Sequence, residues 1–136
     1  MKRIFIDTNI LLDHALSRPG FEVEAKQVLE WCMKNAESSY FAFHTFSNLY
    51  YVLRSQRDRT AAVTYLKGLL SWADVAPTSK RQLSDSVADA NGDVEDKLQF
   101  LCAKDAGAEV IVTRDPKGFS DSPVPVLSPA EFLAKV

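Results

Sequence analysis

The chain has few of the features that stabilise a domain covalently or direct it to a membrane. Its two cysteines, Cys32 and Cys102, lie in apolar helical patterns without a partner motif. We therefore expect two buried thiols and no disulfide. No apolar run approaches the ~20 residues of a membrane span. The first residues lead directly into a strand pattern rather than a signal peptide, so a cytoplasmic protein is expected.

The chain also lacks an excess of positive charge. It carries 16 lysines and arginines against 18 acidic residues, which gives a formal net charge of −2 at pH 7. This excludes a strongly basic nucleic-acid-binding protein, and any contact with nucleic acid must come from a local cluster of lysine and arginine. The 46% of hydrophobic residues is enough for one core. A single domain over residues 1–136 is predicted.

Short β-rich runs alternate with amphipathic helical patterns along the chain. The predicted strands are residues 3–6, 40–43, 75–76, 109–113 and 124–127. The predicted helices are residues 21–37, 46–55, 61–72, 80–88 and 94–106, with further helix starts at Ile10 and Pro129. This alternation predicts an α/β fold, a three-layer α/β/α sandwich around a short, mostly parallel sheet.

Four aspartates are predicted to meet at one edge of this sheet. Asp7 ends the first strand and Asp115 follows the strand at residues 109–113. Parallel strands bring their carboxyl ends to the same edge, where α/β proteins bind ligands. Asp93 and Asp96 lie three residues apart at the start of the helix that leads into the second of these strands, so they share a face of its first turn. Clustered carboxylates repel one another unless a cation compensates them. Oxygen ligands without cysteine or histidine suit Mg²⁺ or Mn²⁺.

Each of these aspartates also has a purely structural interpretation. Asp7 can cap the helix that follows it. Asp93 and Asp96 are favoured at any helix N-terminus, whether or not a metal is present. Asp115 can belong to an ordinary turn. The metal interpretation therefore depends on all four acids lying together, whereas Glu95 is expected on the solvated surface of its helix.

Three segments that contain these aspartates resemble the PIN domain family, of the PilT N-terminus and VapC toxin type. They are IFIDTNILLD at residues 4–13, DVEDKLQ at residues 93–99 and VIVTRD at residues 110–115. The resemblance covers nearly the whole chain, in order and at the right length. It implies a fold similar to that of FEN-type nucleases and an Mg²⁺- or Mn²⁺-dependent ribonuclease. For many bacterial members it also implies a homodimeric toxin with a partner antitoxin.

The resemblance assigns the family's metal-binding acids to positions of this chain, with one exception. Asp7 matches the first acid, Asp96 the third and Asp115 the fourth. The second acid is usually a glutamate, and the matching residue here is Asn48. An amide oxygen can bind a metal ion or its water, but it brings no charge and cannot act as a base. Asp93 is a candidate to supply the missing charge, and a helix cap is the alternative role for it.

Further residues near the acids are candidate contacts for RNA. In the reaction that the resemblance implies, the metal ion polarises the phosphate, activates water and stabilises the leaving oxygen. Thr8 and Asn9 are placed to hydrogen-bond the ligand aspartate or a phosphate. Arg114 and Lys117 flank the fourth acid and are candidates to neutralise phosphates, with an exposed charged turn as the alternative. Arg54 belongs to an arginine cluster at a helix–helix turn, a more distant candidate that an ordinary solvated turn also explains.

Asn48 leaves a second function open, which is a PIN-fold module that binds RNA or protein with weak or no nuclease activity. A third hypothesis, from a different class, is a receiver-like regulatory domain. Such domains combine acids at strand ends with a lysine after a later strand. This chain has no clear lysine of that kind and carries an acid pair on a helix. His44, a single histidine after the second strand, is expected to be a structural cap.

Overall fold

A computed structural model describes residues 2–136 as a parallel sheet enclosed by helices. The strands are β1 (Ile4–Ile6), β2 (Ser39–Phe41), β3 (Asp74–Val75), β4 (Val110–Val112) and β5 (Val126–Leu127). The helices are α1 (Thr8–Ala15), α2 (Glu22–Lys34), α3 (Phe43–Gln56), α4 (Arg59–Trp72), α5 (Lys80–Ser86), α6 (Val94–Asp105) and α7 (Pro129–Lys135), with a 3-10 helix at Pro116–Phe119. Among the described residues, no helix has both the length and the apolar character needed to cross a membrane.

The five strands lie in the order β3-β2-β1-β4-β5, and every neighbouring pair is parallel. From the central strand β1 the chain proceeds to β2 and β3 on one side, and then to β4 and β5 on the other. This reversal opens a crevice at the carboxyl ends of the two strands that flank it, here β1 and β4. The predicted α/β fold is confirmed, and the sheet is entirely rather than mostly parallel.

The central strands β1 and β4 are buried throughout, and side chains along each strand alternate between the two faces of the sheet. Ile4 and Ile6 of β1 belong to one core, which includes residues of α1, α2 and α7. Phe5, between them, belongs to a second core with Phe100 of α6 and with Phe119. Helices therefore cover the sheet on both sides, in three layers. Within this packing, both cysteines are buried and unpaired.

The helix α3 begins at Phe43, three residues before the predicted start. The pairing of β2 ends at Phe41, and Ala42 is the N-cap of the helix in an extended conformation. The predicted strand at residues 40–43 is therefore split: its first two residues belong to β2, and Phe43 begins α3. His44 consequently lies inside α3, where its side chain does not cap the helix, so the expected capping role is wrong.

Candidate metal centre

Asp7 occupies the crevice at the carboxyl end of β1. Its backbone N–H donates to the carbonyl oxygen of Val112 at 3.0 Å, which places it beside the end of β4. The residue is only 5% exposed. Although Asp7 stands at the N-cap position of α1, its side chain makes no capping hydrogen bond. The carboxylate therefore does not act as the helix cap that the structural interpretation requires.

Two neutral side chains hold the Asp7 carboxylate in place. Nε2 of Gln99 donates to Oδ1 at 2.6 Å, and Oγ1 of Thr113 donates to Oδ2 at 2.6 Å. Burial raises the pKa of Asp7 above its usual value, and these two hydrogen bonds oppose that increase only in part. The charge of Asp7 is thus fixed in position by polar donors but is not balanced by them.

Gln99 and Thr113 belong to no sequence pattern that predicts a functional role. Both side chains are fully buried, and a buried polar group requires a hydrogen-bond partner. The sequence feature that could have identified Gln99 is its position one helical turn after Asp96, in a helix that packs against the sheet. Thr113 follows the β-branched run of β4 directly. Neither signal identifies the partner, because both residues meet Asp7 only in the tertiary structure.

Three acidic residues lie together at the start of α6. Asp93, Glu95 and Asp96 each offer a carboxylate oxygen, and these oxygens lie within 4.8 Å of one another. The pKa of Asp96 is raised to about 7, first by burial and then by the negative charges of Asp93, Glu95 and Asp7. Glu95, which is expected on solvated surface, instead joins this group. Repulsion among these carboxylates, seen in the raised pKa of Asp96, is what distinguishes the site electrostatically.

Asp93 has the geometry of a helix cap as well as a place in this group. Its Oδ1 accepts a hydrogen bond from the backbone N–H of Asp96 at 3.0 Å, and Asp93 is the N-cap of α6. The cap uses one carboxylate oxygen and leaves the other available. The two interpretations of Asp93 are therefore compatible.

Asp115 approaches the same group from the end of β4. A Cβ atom built on Gly118 would lie 2.6 Å from Oδ2 of Asp96 and 3.4 Å from Oδ2 of Asp115. The two carboxylates thus border a space that is open because Gly118 has no side chain. The backbone N–H of Asp115 donates to Oγ1 of Thr113 at 3.1 Å. The side chain that holds Asp7 therefore also orients the turn that carries Asp115.

The residues present fit a divalent cation such as Mg²⁺ or Mn²⁺. The donor atoms of Asp7, Asp96 and Asp115 are carboxylate oxygens, which these ions prefer. Burial and mutual repulsion raise the pKa of both Asp7 and Asp96, and a bound cation reverses such a shift. Across residues 2–136, none of these three carboxylates accepts a hydrogen bond from lysine or arginine. A divalent cation would compensate this charge.

Asn48 lies on the exposed surface of α3, one helical turn after His44. Nε2 of His44 is 3.2 Å from Oε1 of Glu95, so α3 contacts the acidic group through His44. Thr45, the next residue, is fully buried. The start of α3 therefore borders the site, and the residue of α3 that contacts an acid there is His44, through Glu95.

Two of the candidate RNA contacts are part of the internal framework of the site. Thr8 is buried, and its Oγ1 is hydrogen-bonded to Oγ1 of Thr45 at 2.8 Å. Oδ1 of Asn9 accepts a hydrogen bond from the backbone N–H of Arg114 at 3.4 Å. These side chains join α1 to α3 and to the end of β4, next to the Asp7 carboxylate.

Lys117 and Arg54, two further candidates, are both exposed. Lys117 lies in the 3-10 helix that follows Asp115, so it borders the acidic group. Arg54 lies in the last turn of α3, on the order of 15 Å along the helix axis from His44. The structure thus brings Lys117 to the edge of the site and leaves Arg54 at the far end of the helix.

Arg114 forms a separate charged cluster behind the site. Its Nε donates to Oδ2 of Asp13 at 2.7 Å, and Arg18 contacts Oδ1 of the same aspartate at 3.4 Å. The guanidinium carbon of Arg114 lies 4.2 Å from the centre of the Phe21 ring, in a cation–π contact. The charge of Arg114 is therefore already paired within the protein.

Comparisons with known proteins identify the family of this chain. A sequence model of the family described as PIN domain matches residues 3–117. The chain belongs to the PIN domain family. Among curated proteins, this PIN domain is 25% identical to Ribonuclease VapC1 of Aquifex aeolicus (strain VF5) over 139 residues, which cover 98% of this chain and 95% of that protein.

Solved structures share the fold of this PIN domain. DNA-bound VapBC from Salmonella typhimurium superposes with a TM-score of 0.69 at 14% identity, over 95% of this chain and 99% of that chain. A toxin–antitoxin complex from Klebsiella pneumoniae gives a TM-score of 0.67 at 23% identity, over 93% and 97% of the two chains. At these identities the similarity concerns the fold.

Proposed function

We propose that this PIN domain is a ribonuclease that hydrolyses RNA phosphodiester bonds with Mg²⁺ or Mn²⁺. The observation that carries the proposal is the group of carboxylates at the carboxyl ends of β1 and β4 and the start of α6. Asp7, Asp96 and Asp115 converge there without a lysine or arginine to balance them among residues 2–136. The similarity to Ribonuclease VapC1 over nearly the whole chain supports the same activity.

Asp7, Asp96 and Asp115 would hold the ion, and Asp93 has an oxygen to add. When bound, the ion supplies Lewis-acid polarisation of the scissile phosphate and compensates the charge that develops on it. Gln99 and Thr113 already fix both oxygens of Asp7, which orients this ligand before binding. Lys117, exposed beside Asp115, can contact a neighbouring phosphate of the strand.

An RNase assay with Asp7→Asn as the matched control tests this function. The substitution keeps the size of the side chain and removes one charge from the site. We expect the wild-type chain with Mn²⁺ to cleave RNA, and the variant and an EDTA-treated sample to leave it intact. Equal cleavage by both proteins would indicate a contaminating nuclease or another site, and would contradict the proposal.

We also propose that the chain is the toxin of a toxin–antitoxin pair in the cytoplasm. The fold similarity to the chain of the Klebsiella pneumoniae toxin–antitoxin complex supports a partner of this kind. Expression of the chain alone should slow growth, and co-expression of a small protein encoded beside it should relieve the effect. Asp7→Asn should be harmless in both settings. Slow growth with this variant would show that toxicity does not depend on the acidic site.

A homodimer is part of the same proposal. Phe43 and Tyr51 of α3 are 66% and 65% exposed, and exposed aromatic side chains are more frequent in contact surfaces than on other protein surface. Light scattering on the purified chain should give twice the mass of 15.2 kDa. The mass of one chain at micromolar concentration would contradict a stable dimer.

A PIN module that binds RNA or protein without cleaving it is the second candidate. The observation that favours it is Asn48, a neutral and exposed side chain where a glutamate is usual in the family. In that case Mn²⁺ would bind to the wild type and RNA would remain intact. Binding and cleavage measured on the same preparation separate the two functions.

A further inference from the structure

Glu95 lies within the acidic group but is not one of the acids that the PIN resemblance assigns. Its Oε1 accepts a hydrogen bond from Nε2 of Gln99 at 2.9 Å. The same amide nitrogen donates to Oδ1 of Asp7 at 2.6 Å. A single NH₂ group with two hydrogens therefore holds the carboxylates of Asp7 and Glu95 beside each other. Because Gln99 is fully buried, this arrangement is fixed by the core.

His44 contacts Glu95 from the neighbouring helix. Its Nε2 lies 3.2 Å from the same Oε1. A histidine that carries its proton on Nε2 donates to this oxygen, because a carboxylate oxygen accepts. Both of these hydrogen bonds, from Gln99 and from His44, fall on the same oxygen, Oε1. Glu95 is thus anchored through Oε1, and one of its carboxylate oxygens lies within 4.8 Å of oxygens of Asp93 and Asp96.

The position of His44 on α3 connects this contact to Asn48. The two residues are four apart, so they share one face of the helix. At the family's acid position, α3 carries a neutral amide, and one turn earlier it carries a histidine that anchors an acid from α6. A negative charge of the kind that α3 lacks is present on α6, where Glu95 contacts α3 through His44.

We propose that Glu95 binds the metal ion and supplies the charge that Asn48 does not, with His44 and Gln99 as positioning residues. The assignment rests on the proposed metal-dependent function. The site then has its second acid from α6, directly beside Asp96, instead of from α3. Glu95 is oriented towards the ion only while His44 and Gln99 hold its Oε1 atom. Loss of either contact should therefore lower the metal affinity.

Calorimetric titration of the whole chain with Mn²⁺ tests the role of Glu95. Glu95→Gln keeps an oxygen that accepts both hydrogen bonds and removes the charge. We expect its Mn²⁺ affinity to fall by about tenfold or more. Glu30→Gln makes the same charge change on the exposed surface of α2 and should stay within about twofold of the wild type, because exposed charges at a distance are screened. Asn48→Glu should restore most of the affinity lost in Glu95→Gln.

The outcomes separate this proposal from the proposed function. A wild type that binds no Mn²⁺ would overturn both. If the wild type binds Mn²⁺ and Asp7→Asn does not, the metal centre exists. Wild-type affinity in Glu95→Gln would then remove Glu95 from the centre and leave the rest of the proposed function intact.

A second pair of variants tests the proposal without changing Glu95 itself. His44→Ala removes the hydrogen bond to Oε1, and His44→Gln provides an amide that can donate in its place. We expect the Mn²⁺ affinity to fall in the first variant and to recover in the second, while circular dichroism shows both to be folded. Equal affinity in His44→Ala and the wild type would contradict the positioning role.

Discussion

Two buried aspartates, Asp7 at the N-cap of α1 and Asp13 within the same helix, differ in their surroundings. Asp13 is 1% exposed and contacts the guanidinium groups of Arg114 and Arg18. Asp7 is 5% exposed, and the side chains that donate to its carboxylate, those of Gln99 and Thr113, are neutral. The charge of Asp13 is balanced by arginine, whereas the charge of Asp7 has no lysine or arginine partner among residues 2–136. Burial alone therefore does not distinguish a structural acid from a functional one, and the charge of the partners does.

The largest expected effect is the loss of the charge of Asp13. Asp13→Asn leaves two arginines without their partner, and we expect the free energy of unfolding to fall by about 3 kcal/mol, the low end for a broken buried pair. The cost is limited because the arginine side chains keep 31% and 32% of their surface exposed. Urea denaturation of the metal-free protein measures it. A loss below about 1 kcal/mol, the value of a surface ion pair, would contradict the interpretation of Asp13 as a buried charge that the two arginines balance.

The opposite response is expected at Asp7. In the metal-free protein, Asp7→Asn should keep or raise the free energy of unfolding, because a neutral amide is easier to bury than a carboxylate. At 100 times its dissociation constant, Mn²⁺ should stabilise the wild type by about 2.7 kcal/mol, and the variant should show no such increase. Thermal denaturation with and without Mn²⁺ measures both effects. The same metal-dependent shift in both proteins would exclude Asp7 as a ligand.

Asp93 provides a smaller test, since it combines a cap with a place among the acids. Asp93→Ala should lower the free energy of unfolding by about 1 kcal/mol through loss of the cap. Asp93→Asn keeps a good cap and removes only the charge, so it isolates any role at the ion. If Asp93 serves the ion, Asp93→Asn and Asp96→Asn should lower Mn²⁺ affinity to a similar extent. Affinity unchanged in Asp93→Asn would make Asp93 a cap alone.

The last prediction concerns pH dependence, where the partial exposure of Asp96 to solvent reduces the effect on stability. The pKa of Asp96 is raised in the folded protein from 3.8 to about 7, so the folded state binds its proton more tightly than the unfolded state does. The stability that this proton contributes is present below about pH 4 and is lost as the pH rises towards 7. Mn²⁺ affinity should rise over the same window, because the ion competes with the proton.

Urea denaturation in EDTA at pH 5 and pH 7.5 measures the stability part of this prediction. The relevant quantity is the difference between the wild type and Asp96→Asn, since other groups titrate in both proteins. The variant should lose less stability between the two pH values. Identical losses would show that Asp96 ionises with an ordinary pKa.

The sequence was sufficient for the sheet and for the approach of the strand-end acids. An apolar run that stops at Asp7, and a β-branched run shortly before Asp115, define strand ends by composition alone. Parallel strands then place those ends at one edge. Spacing in a helix likewise places Asp93 and Asp96 together. These inferences use local pattern and one rule of topology, and they do not depend on which helices pack against each other.

The rest of the site depends on which helices pack against each other, and this packing cannot be predicted from local sequence patterns. Glu95 joins the acids because α3 brings His44 to it and because Gln99 reaches Asp7 from the same helix. Arg114 is next to an acid in the sequence, yet its charge is paired with Asp13, 101 residues away. Each of these contacts joins segments that are distant in the chain. Spacing rules describe single elements and therefore miss such contacts.

The absence of a side chain at Gly118 provides an experimental tool. The atom that a Cβ would displace is the outermost oxygen of Asp96, at 2.6 Å, and that oxygen can rotate away with little disturbance of the backbone. Gly118→Ala should therefore give a folded protein with every charge retained and the metal ligand displaced. If the chain is the toxin proposed above, such an allele would separate antitoxin binding from RNA cleavage, because it would keep the first and lose the second. Variants that delete a carboxylate change the electrostatic surface at the same time and cannot make that separation.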